Sequence, residues 1–598
     1  MKKITSILIS LACGLTLLAK PAKPGFIRYT QPDGSTILIQ RHGDEWAHWT
    51  TNQAGQVVRK DADGFYRAVE GVSPRTAAQV ASIRRKARRQ MVSARRANAP
   101  IAVGKKHFLV VLTEFSDQAF TIDNPRQAVS DMLNKEGYNE NGATGSARDY
   151  YYENAHGVFE PIFDVYGPVT LPQKMAYYGG NDSQGSDEHP ELAVRDACKA
   201  LDSEVNFANY DLDGDGEVDL VYMVYAGQGE ADGGDEDTIW PHQWYLTAGG
   251  INLTLDGKRI DRYACGSELN GEGDMDGIGT ICHEFGHAMG LPDFYDTDYD
   301  TNGQGRTLLE YSLMDSGSYN NNGWTPPYLN MEERIMMGWL DESSILEFPK
   351  NGTYTLESVK NNVGYKIPTD TEGEYILLEC RSMTGWDKFL PAEGLIAYHV
   401  DKSSRKVSVV TEDGNKSIAA STLWTEWKQY NAINENGKHP CFYVVASASP
   451  YSCSYGMVYD QDYEMYFYEK PYTDIPFPGG KHVTSYAPEG WSGNATAITL
   501  SQIAYSANKA SFTVSGAVTA GLDYPVIVNP GNYTAGASFP LALEHPDAYV
   551  ASSVKWTVDG ASVSGASTSL TAGSHVIEAE VTTESGRKDV VTLEITVK

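Results

Sequence analysis

At 598 residues the chain is too long for one hydrophobic core, and three or four domains are expected. Its composition, 41% hydrophobic with 37 tyrosines, is that of a globular protein with an extracellular character. A formal charge of −30 excludes nucleic acid as a partner, since no adequate basic face remains outside one short cluster, and it favours solubility and calcium binding.

The chain opens Met1-Lys2-Lys3 and runs apolar from Ile4 to Ala19. A basic start before an apolar run too short to span a bilayer reads as a signal peptide over 1–19, cut near Ala19 or Ala22. Export follows, with a cell-envelope lipoprotein anchored at Cys13 as the alternative; Ser10 speaks against it, standing where an apolar residue is usual. Residues 20–99 read as a propeptide with strand and turn punctuation at Gln31-Pro32-Asp33-Gly34 and Asp61-Ala62-Asp63-Gly64. It ends in a basic helical stretch holding Arg84, Arg85, Lys86, Arg88, Arg89, Arg95 and Arg96. That stretch is either a solvated charge run or patch for acidic polymers, or an exposed linker cut by a trypsin-like or Arg-specific protease, and its place directly before the apolar run Phe108–Leu112 favours the linker. No cysteine lies between Cys13 and Cys198, so a thiol cannot hold such a propeptide on a metal; Asp44, beside the flexible Gly43, is the first oxygen to test for that role.

Phe108–Leu112 is a continuous apolar run of the kind that forms a buried strand, and Leu220–Ala226 is a second. Helices are expected around Ser146–Phe159 and His189–Leu201, and edge strands over Ile251–Tyr263. Between them, Asp211, Asp213, Asp215 and Asp219 place oxygens at alternate positions around Gly214 and Gly216, an EF-hand-like calcium loop lacking the glutamate of a helix-loop-helix sensor. His242, His156 and His399 read as packed histidines.

The run His283-Glu284-Phe285-Gly286-His287 reads as a catalytic zinc site. Positions i and i+4 share a helix face, so both imidazoles can reach one ion, and Glu284 can take the proton of a water that the ion polarises. Gly290 is suited to ending the helix and Pro292 prevents its resumption, which swings Asp293 back as a third ligand. Asp296 and Glu310 remain open as alternatives. Met275, Ile278, Gly279, Ile281 and Cys282 before the run are those of a buried helix. Met314, in the tight turn Ser312–Gly317, can form an apolar floor beneath the metal. Asp296, Asp298, Asp300 and Asn302 repeat the acidic alternation more weakly. Beyond Asp341 the pattern turns to short strands, and the last 80 or so residues alternate as in an immunoglobulin-like sandwich. Cys441 and Cys453 are the most plausible local disulfide pair.

The segment HEFGHAMGLPDFYD, the turn SLMDSG, and Trp324-Thr325-Pro326-Pro327 leading to Met337-Gly338-Trp339 resemble the immune inhibitor A family of secreted metallopeptidases, relatives of the metzincins with aspartate in place of a third histidine. The resemblance extends upstream to YDLDGDGEVDL and IWPHQW and downstream to GWDKFLP and GLIAYHVD, covering roughly residues 100–515. It implies a zinc endopeptidase with His283, His287 and Asp293 as ligands and Glu284 as base. The expected fold is multidomain: an α/β metzincin-like zinc protease over 100–345, a β-rich domain over 346–515 and an immunoglobulin-like β-sandwich over 516–598. The expected partners are protein or peptide substrates, an activating Arg-specific protease, and host or cell-surface ligands of the C-terminal β domains. The rival reading is a surface adhesion or glycan-binding protein with an inactive protease-like domain; the intact Glu284 and the apparent activation segment speak against it.

Overall fold

The structure, a computed structural model, describes residues 18–44, 47–61, 63–69, 71–72, 101–182, 186–297, 305–411, 414–448, 456–460, 465–469, 472–517, 526–529, 531, 534–543, 550–582 and 588–598. The apolar start with Cys13, the basic stretch Arg84–Arg96, Cys453, and Asp298, Asp300 and Asn302 lie outside the described residues. Contacts divide the chain into two compact units, Met1–Glu347 with Tyr354–Phe512, and Phe348–Thr353 with Thr513–Lys598. The β-rich residues Tyr354–Phe512 therefore share a unit with the residues up to Glu347.

The chain begins with a two-residue strand β1 (Leu18–Ala19), followed by β2 (Ile27–Thr30), β3 (Thr36–Asp44) and β4 (Ala47–Asn52), which pair in order as an antiparallel sheet. A hairpin of β5 (Val58–Lys60) and β6 (Tyr66–Ala68) closes on it over a small core of Ile39, Val58 and Tyr66. The expected turns form: Ser35 N–H donates to Asp33 Oδ1 at 2.9 Å, and Phe65 N–H to Asp61 Oδ1 at 2.9 Å.

The next strands are β7 (Gly104–Glu114), β8 (Phe159–Thr170), a short β9 (Glu217–Val218), β10 (Val221–Gln228), β11 (His242–Tyr245), β12 (Leu253–Leu255), β13 (Lys258–Ile260) and β14 (Arg262–Leu269), most of which form one six-stranded sheet. Its order is β1-β11-β14-β10-β7-β8, with β9, β12 and β13 in a small separate sheet. Strands β8, β7, β10 and β14 run parallel, while β11 runs antiparallel to β14. The continuous apolar run in β7 follows from cover on both faces. Phe108, Val110 and Leu112 pack in the core that holds Ile281, Cys282 and Phe285, while Leu109 and Val111 pack with Ala193, Val194 and Ala197 on the other side.

Four helices of eight residues or more cover the sheet among the described residues: α1 (Pro125–Asn134), α2 (Ala147–Asn154), α3 (Pro190–Ala200) and α4 (Ile278–Met289). Ser146 caps α2, with Asp149 bonding back to the Ser146 N–H, a reciprocal cap worth about 1 kcal/mol against alanine. The chain then leaves the helix, and His156 is exposed at φ 49°, bonded to the Lys360 carbonyl; it is not the packed histidine expected from sequence. His399 is packed as expected, between Glu374 and Tyr443. Every residue of α4 is buried, and Gly290 at φ 123° ends it, its N–H reaching the Gly286 and His287 carbonyls.

C-terminal to the helices, Ile345–Glu347, Gly364–Pro368, Glu374–Arg381, Gly394–Asp401 and Phe442–Val445 form a five-stranded sheet. The second unit contains a four-stranded antiparallel sheet of Ala561–Val563, Lys555–Val558, Gly573–Thr582 and Lys588–Val597. The alternation Ile577, Ala579, Val581 faces its core. No described helix is long and apolar enough to cross a membrane.

Candidate metal centre

Helix α4 presents His283 and His287 on one face, one turn apart, with their Nε2 atoms 3.0 Å from each other. The turn after Gly290 and Pro292 returns Asp293 to the same point, its Oδ1 lying 3.3 Å from His283 Nε2 and 3.2 Å from His287 Nε2. All three side chains are buried. Their tautomers follow from their other contacts: His283 Nδ1 lies 2.9 Å from the Leu313 carbonyl and His287 Nδ1 2.8 Å from that of Leu291, so each Nδ1 carries the proton. Both Nε2 atoms are then bare lone pairs facing Asp293 Oδ1, which is buried without a hydrogen-bond donor. Three acceptors in contact and nothing to donate to them is a costly arrangement unless a cation sits among them, and two imidazoles with one carboxylate are a donor set suited to zinc.

Asp293 is held by a residue far along the chain. Asn431 Nδ2 donates to Asp293 Oδ2 at 2.7 Å, and the Asp293 N–H donates back to Asn431 Oδ1 at 3.1 Å. Asp296, the nearby alternative, does not join the pair of imidazoles; its carboxylate accepts from the Gly305 N–H. Glu310, too, is absent from the donor group among the described residues. Beneath α4, Met314 is fully buried, and a Cβ placed on Gly286 would lie 3.0 Å from its sulfur. Glycine at 286 is thus what lets the methionine approach the backbone between the two histidines.

Glu284 is also fully buried, and burial, with the charge of Asp293 adding to it, pushes its carboxyl well above the usual carboxylate range. Its Oε1 accepts the backbone N–H of Lys20 at 2.9 Å, while Oε2 has no hydrogen-bond partner. Strand β1 explains that contact, because it adds to the free side of β11, antiparallel, with Leu18 opposite Gln243 and Ala19 opposite His242. Trp240 Nε1 then donates to the Lys20 carbonyl at 3.0 Å, and Tyr319 OH to that of Pro21 at 2.6 Å. Ala22 and Lys23 bond onward to the Gly43 and Ala231 carbonyls. The N-terminal segment therefore lies across Glu284, and it meets the site through Lys20. Asp44 is buried at the end of β3, its carbonyl bonded to His48 Nδ1 at 2.9 Å, and it is not among the donors gathered with His283, His287 and Asp293.

Three further groups matter. His242, on β11, is packed as expected: Nδ1 contacts the Trp240 carbonyl at 2.6 Å and Nε2 the Tyr263 hydroxyl at 2.8 Å, and burial lowers its pKa to about 4. The residues 18–72 are fastened to the catalytic sheet by buried ion pairs that sequence reading missed. His48 Nε2 lies 2.9 Å from Glu230 Oε2, Arg41 Nη1 lies 3.4 Å from Glu230 Oε1, and Asp187 adjoins the same cluster. In the acidic loop, Asp211, Asp213 and Asp219 converge, whereas Asp215 turns to the Glu217 N–H at 2.9 Å. Lys258 Nζ contacts Asp211 Oδ2 at 2.6 Å, and burial, with Asp213 and Asp215 adding to it, raises Asp219 to about 6.

An HExxH helix with an aspartate third donor and a carboxylate beside an edge strand defines a site of the metallopeptidase type. The family comparison agrees: residues 102–329 match the catalytic domain described as immune inhibitor A peptidase M6. IWPHQW and the acidic loop fall inside the match, and GWDKFLP and GLIAYHVD outside it. The chain is 31% identical over 257 residues to immune inhibitor A of Bacillus thuringiensis, covering 36% of this chain and 37% of that protein. It is 29% identical over 212 residues to the pre-pro-metalloprotease PrtV of Vibrio cholerae, covering 30% of this chain and 23% of that protein. A protein of Arthroderma benhamiae described as a secreted metallopeptidase is 23% identical over 291 residues, 41% of each chain. The chain thus spans about a quarter to two fifths of the length of these relatives.

Proposed function

We propose that the chain is a secreted zinc endopeptidase made as a zymogen, with His283, His287 and Asp293 holding the metal and Glu284 acting as general base. The observation that carries this reading is the convergence of two bare Nε2 lone pairs and an undonated carboxylate oxygen beside a peptide N–H resting on Glu284. Zinc held there supplies Lewis acidity, lowering the pKa of water to about 7 and polarising a carbonyl. The protein supplies the rest. Leu313 and Leu291 carbonyls fix the imidazole tautomers, Asn431 orients Asp293, and Met314 packs under the helix between the ligands. Glu284 Oε2 takes a proton from the attacking water, and the carboxyl returns a proton to the leaving amide nitrogen, the position occupied here by Lys20 N. Strand β11 aligns the substrate as β1 is aligned, by main-chain pairing at a sheet edge.

The sheet order supports a metzincin-like arrangement, and the four-stranded sheet of the second unit is consistent with an immunoglobulin-like domain. Latency is attributed to residues 20–23, which signal cleavage at Ala19 leaves in place over Glu284, with 20–99 as propeptide and Arg84–Arg96 as the cut linker. Calcium is proposed at Asp211, Asp213 and Asp219, with Asp215 alongside, since Asp211 Oδ1 is buried without a hydrogen-bond donor. Secretion is supported by the apolar start. The test is a quenched-peptide assay of intact chain against chain nicked by an Arg-specific protease, with the new N-terminus sequenced. Turnover that appears on nicking supports the reading; equal activity before and after separation of the N-terminal piece removes the zymogen claim.

A further inference from the structure

The side chain of Lys20 turns away from Glu284 into a closed pocket, and its residue is 1% exposed. Its Nζ donates to Thr280 Oγ1 at 2.7 Å, lies 3.3 Å from Asp232 Oδ2, and sits 3.8 Å from the centre of the Tyr319 ring. Thr280 Oγ1 in turn donates to Asp276 Oδ2 at 2.7 Å, so a second carboxylate stands directly behind the first contact. Asp232, Asp276 and Thr280 are all buried. Four chain segments contribute: the turn after β10, the residues before α4, α4 itself, and the turn that follows Met314. An ammonium left in an apolar enclosure would be costly; here two carboxylates, a hydroxyl and an aromatic face receive it.

We propose that this pocket is the enzyme's selectivity pocket for the residue on the leaving side of the scissile bond, and that it takes lysine. The proposal rests on the endopeptidase reading above. The geometry assigns the side of the bond. Thr280 lies one helical turn before Glu284 on the same face of α4, so the pocket floor adjoins the base. The nitrogen resting on Glu284 is that of Lys20, so in a substrate aligned as this segment is, the residue in the pocket would be the first of the departing half. In a substrate so placed, the water oxygen ends on the carbonyl carbon of the preceding residue and the C–N bond breaks. The proton taken by Glu284 goes to the lysine nitrogen, giving one new carboxylate and one new amine terminus. The N-terminal segment thus blocks the site by presenting the side chain that the pocket selects.

The test uses the full chain nicked by an Arg-specific protease, which is then inhibited, acting on a library of peptides whose cleavage sites are read by mass spectrometry. Only cuts absent from a Glu284→Ala control are counted. The expected result is lysine enriched at least tenfold immediately after the cut, with the ratio of lysine to methionine at that position falling at least tenfold in Asp232→Asn. A site built around a polar group discriminates strongly against analogues lacking it. Glu284-dependent cuts with no lysine preference would overturn the pocket assignment and leave the peptidase reading standing; no Glu284-dependent cuts at all would overturn both. Lys20→Met in the full chain changes no pocket residue and gives a second readout. Its unprocessed form should turn over a quenched peptide at least tenfold faster than wild type, and an unchanged rate together with an unchanged affinity of the segment, read by accessibility of the N-terminus to an aminopeptidase, would count against the pocket.

Discussion

Replacing Asn431 with glycine removes the side chain that holds Asp293 while leaving the backbone able to keep its shape. Asn431 sits at φ 37°, ψ 47°, a left-handed conformation that alanine enters only at a cost of about 1–2 kcal/mol, so glycine isolates the side-chain effect. Two contacts vanish, the 2.7 Å bond from Nδ2 to Asp293 Oδ2 and the 3.1 Å bond from Asp293 N–H to Oδ1. A hydrogen bond to a charged group contributes about 1.5–3 kcal/mol, and loss of a residue supporting a metal ligand typically costs about 10–100-fold in affinity, or about 1.4–2.8 kcal/mol. The two routes agree, and zinc affinity of Asn431→Gly should fall by one to two orders of magnitude. Competition against a chromophoric chelator measures this directly, with the melting temperature at saturating zinc as a check on folding. An affinity within about twofold of wild type would show that Asn431 does not orient a ligand and would reopen the identity of the third donor.

Calcium removal, with zinc kept saturated, should lower the melting temperature of the first unit, because Asp211, Asp213 and Asp219 converge and Lys258, in contact with Asp211, carries a single positive charge against three carboxylates. An Asp213→Asn/Asp219→Asn variant should lose that shift, and an equal shift in the variant would dispose of the site. The hold of residues 18–72 on the catalytic sheet should weaken as pH rises. Burial lowers the pKa of His48, but Glu230 outweighs it and leaves it raised; the ring faces Glu230, Asp187, Asn181, the Asp44 carbonyl and Trp240. A raised folded pKa means that its contribution is complete below the unfolded value of about 6.5 and is lost as pH climbs through the folded one. The melting temperature of wild type relative to His48→Gln should therefore fall on going from mildly acidic to alkaline buffer, and parallel curves would contradict the sign.

Much of the centre was legible because its signal is local. The i, i+4 histidines, the terminating Gly290 and the returning Asp293 lie within one short stretch, and the apolar run Phe108–Leu112 announces a strand covered on both faces. What escaped reading depends on contacts distant in sequence. Asn431 meets Asp293 across 138 positions and sits in no recognisable motif. Asp232 and Asp276 look like ordinary loop acids until Lys20 is brought between them. Strand β8 carries a clean alternation in Phe159, Pro161, Phe163 and Val165, whose first residue the sequence reading places at the end of a helix. For latency, the sequence points to a side-chain oxygen at Asp44, which lies away from the three converging donors. The contact is instead a backbone N–H at Lys20, which no residue type could advertise.

Zinc content and turnover of Glu284→Ala, measured side by side with wild type after identical nicking, test the central claim most directly. Glu284 is not one of the three converging donors, so the variant should bind zinc with undiminished stoichiometry while Glu284-dependent proteolysis disappears. Substantial remaining turnover, with contaminating proteases excluded, would contradict the role of Glu284 as base, and loss of zinc from the variant would contradict the donor set.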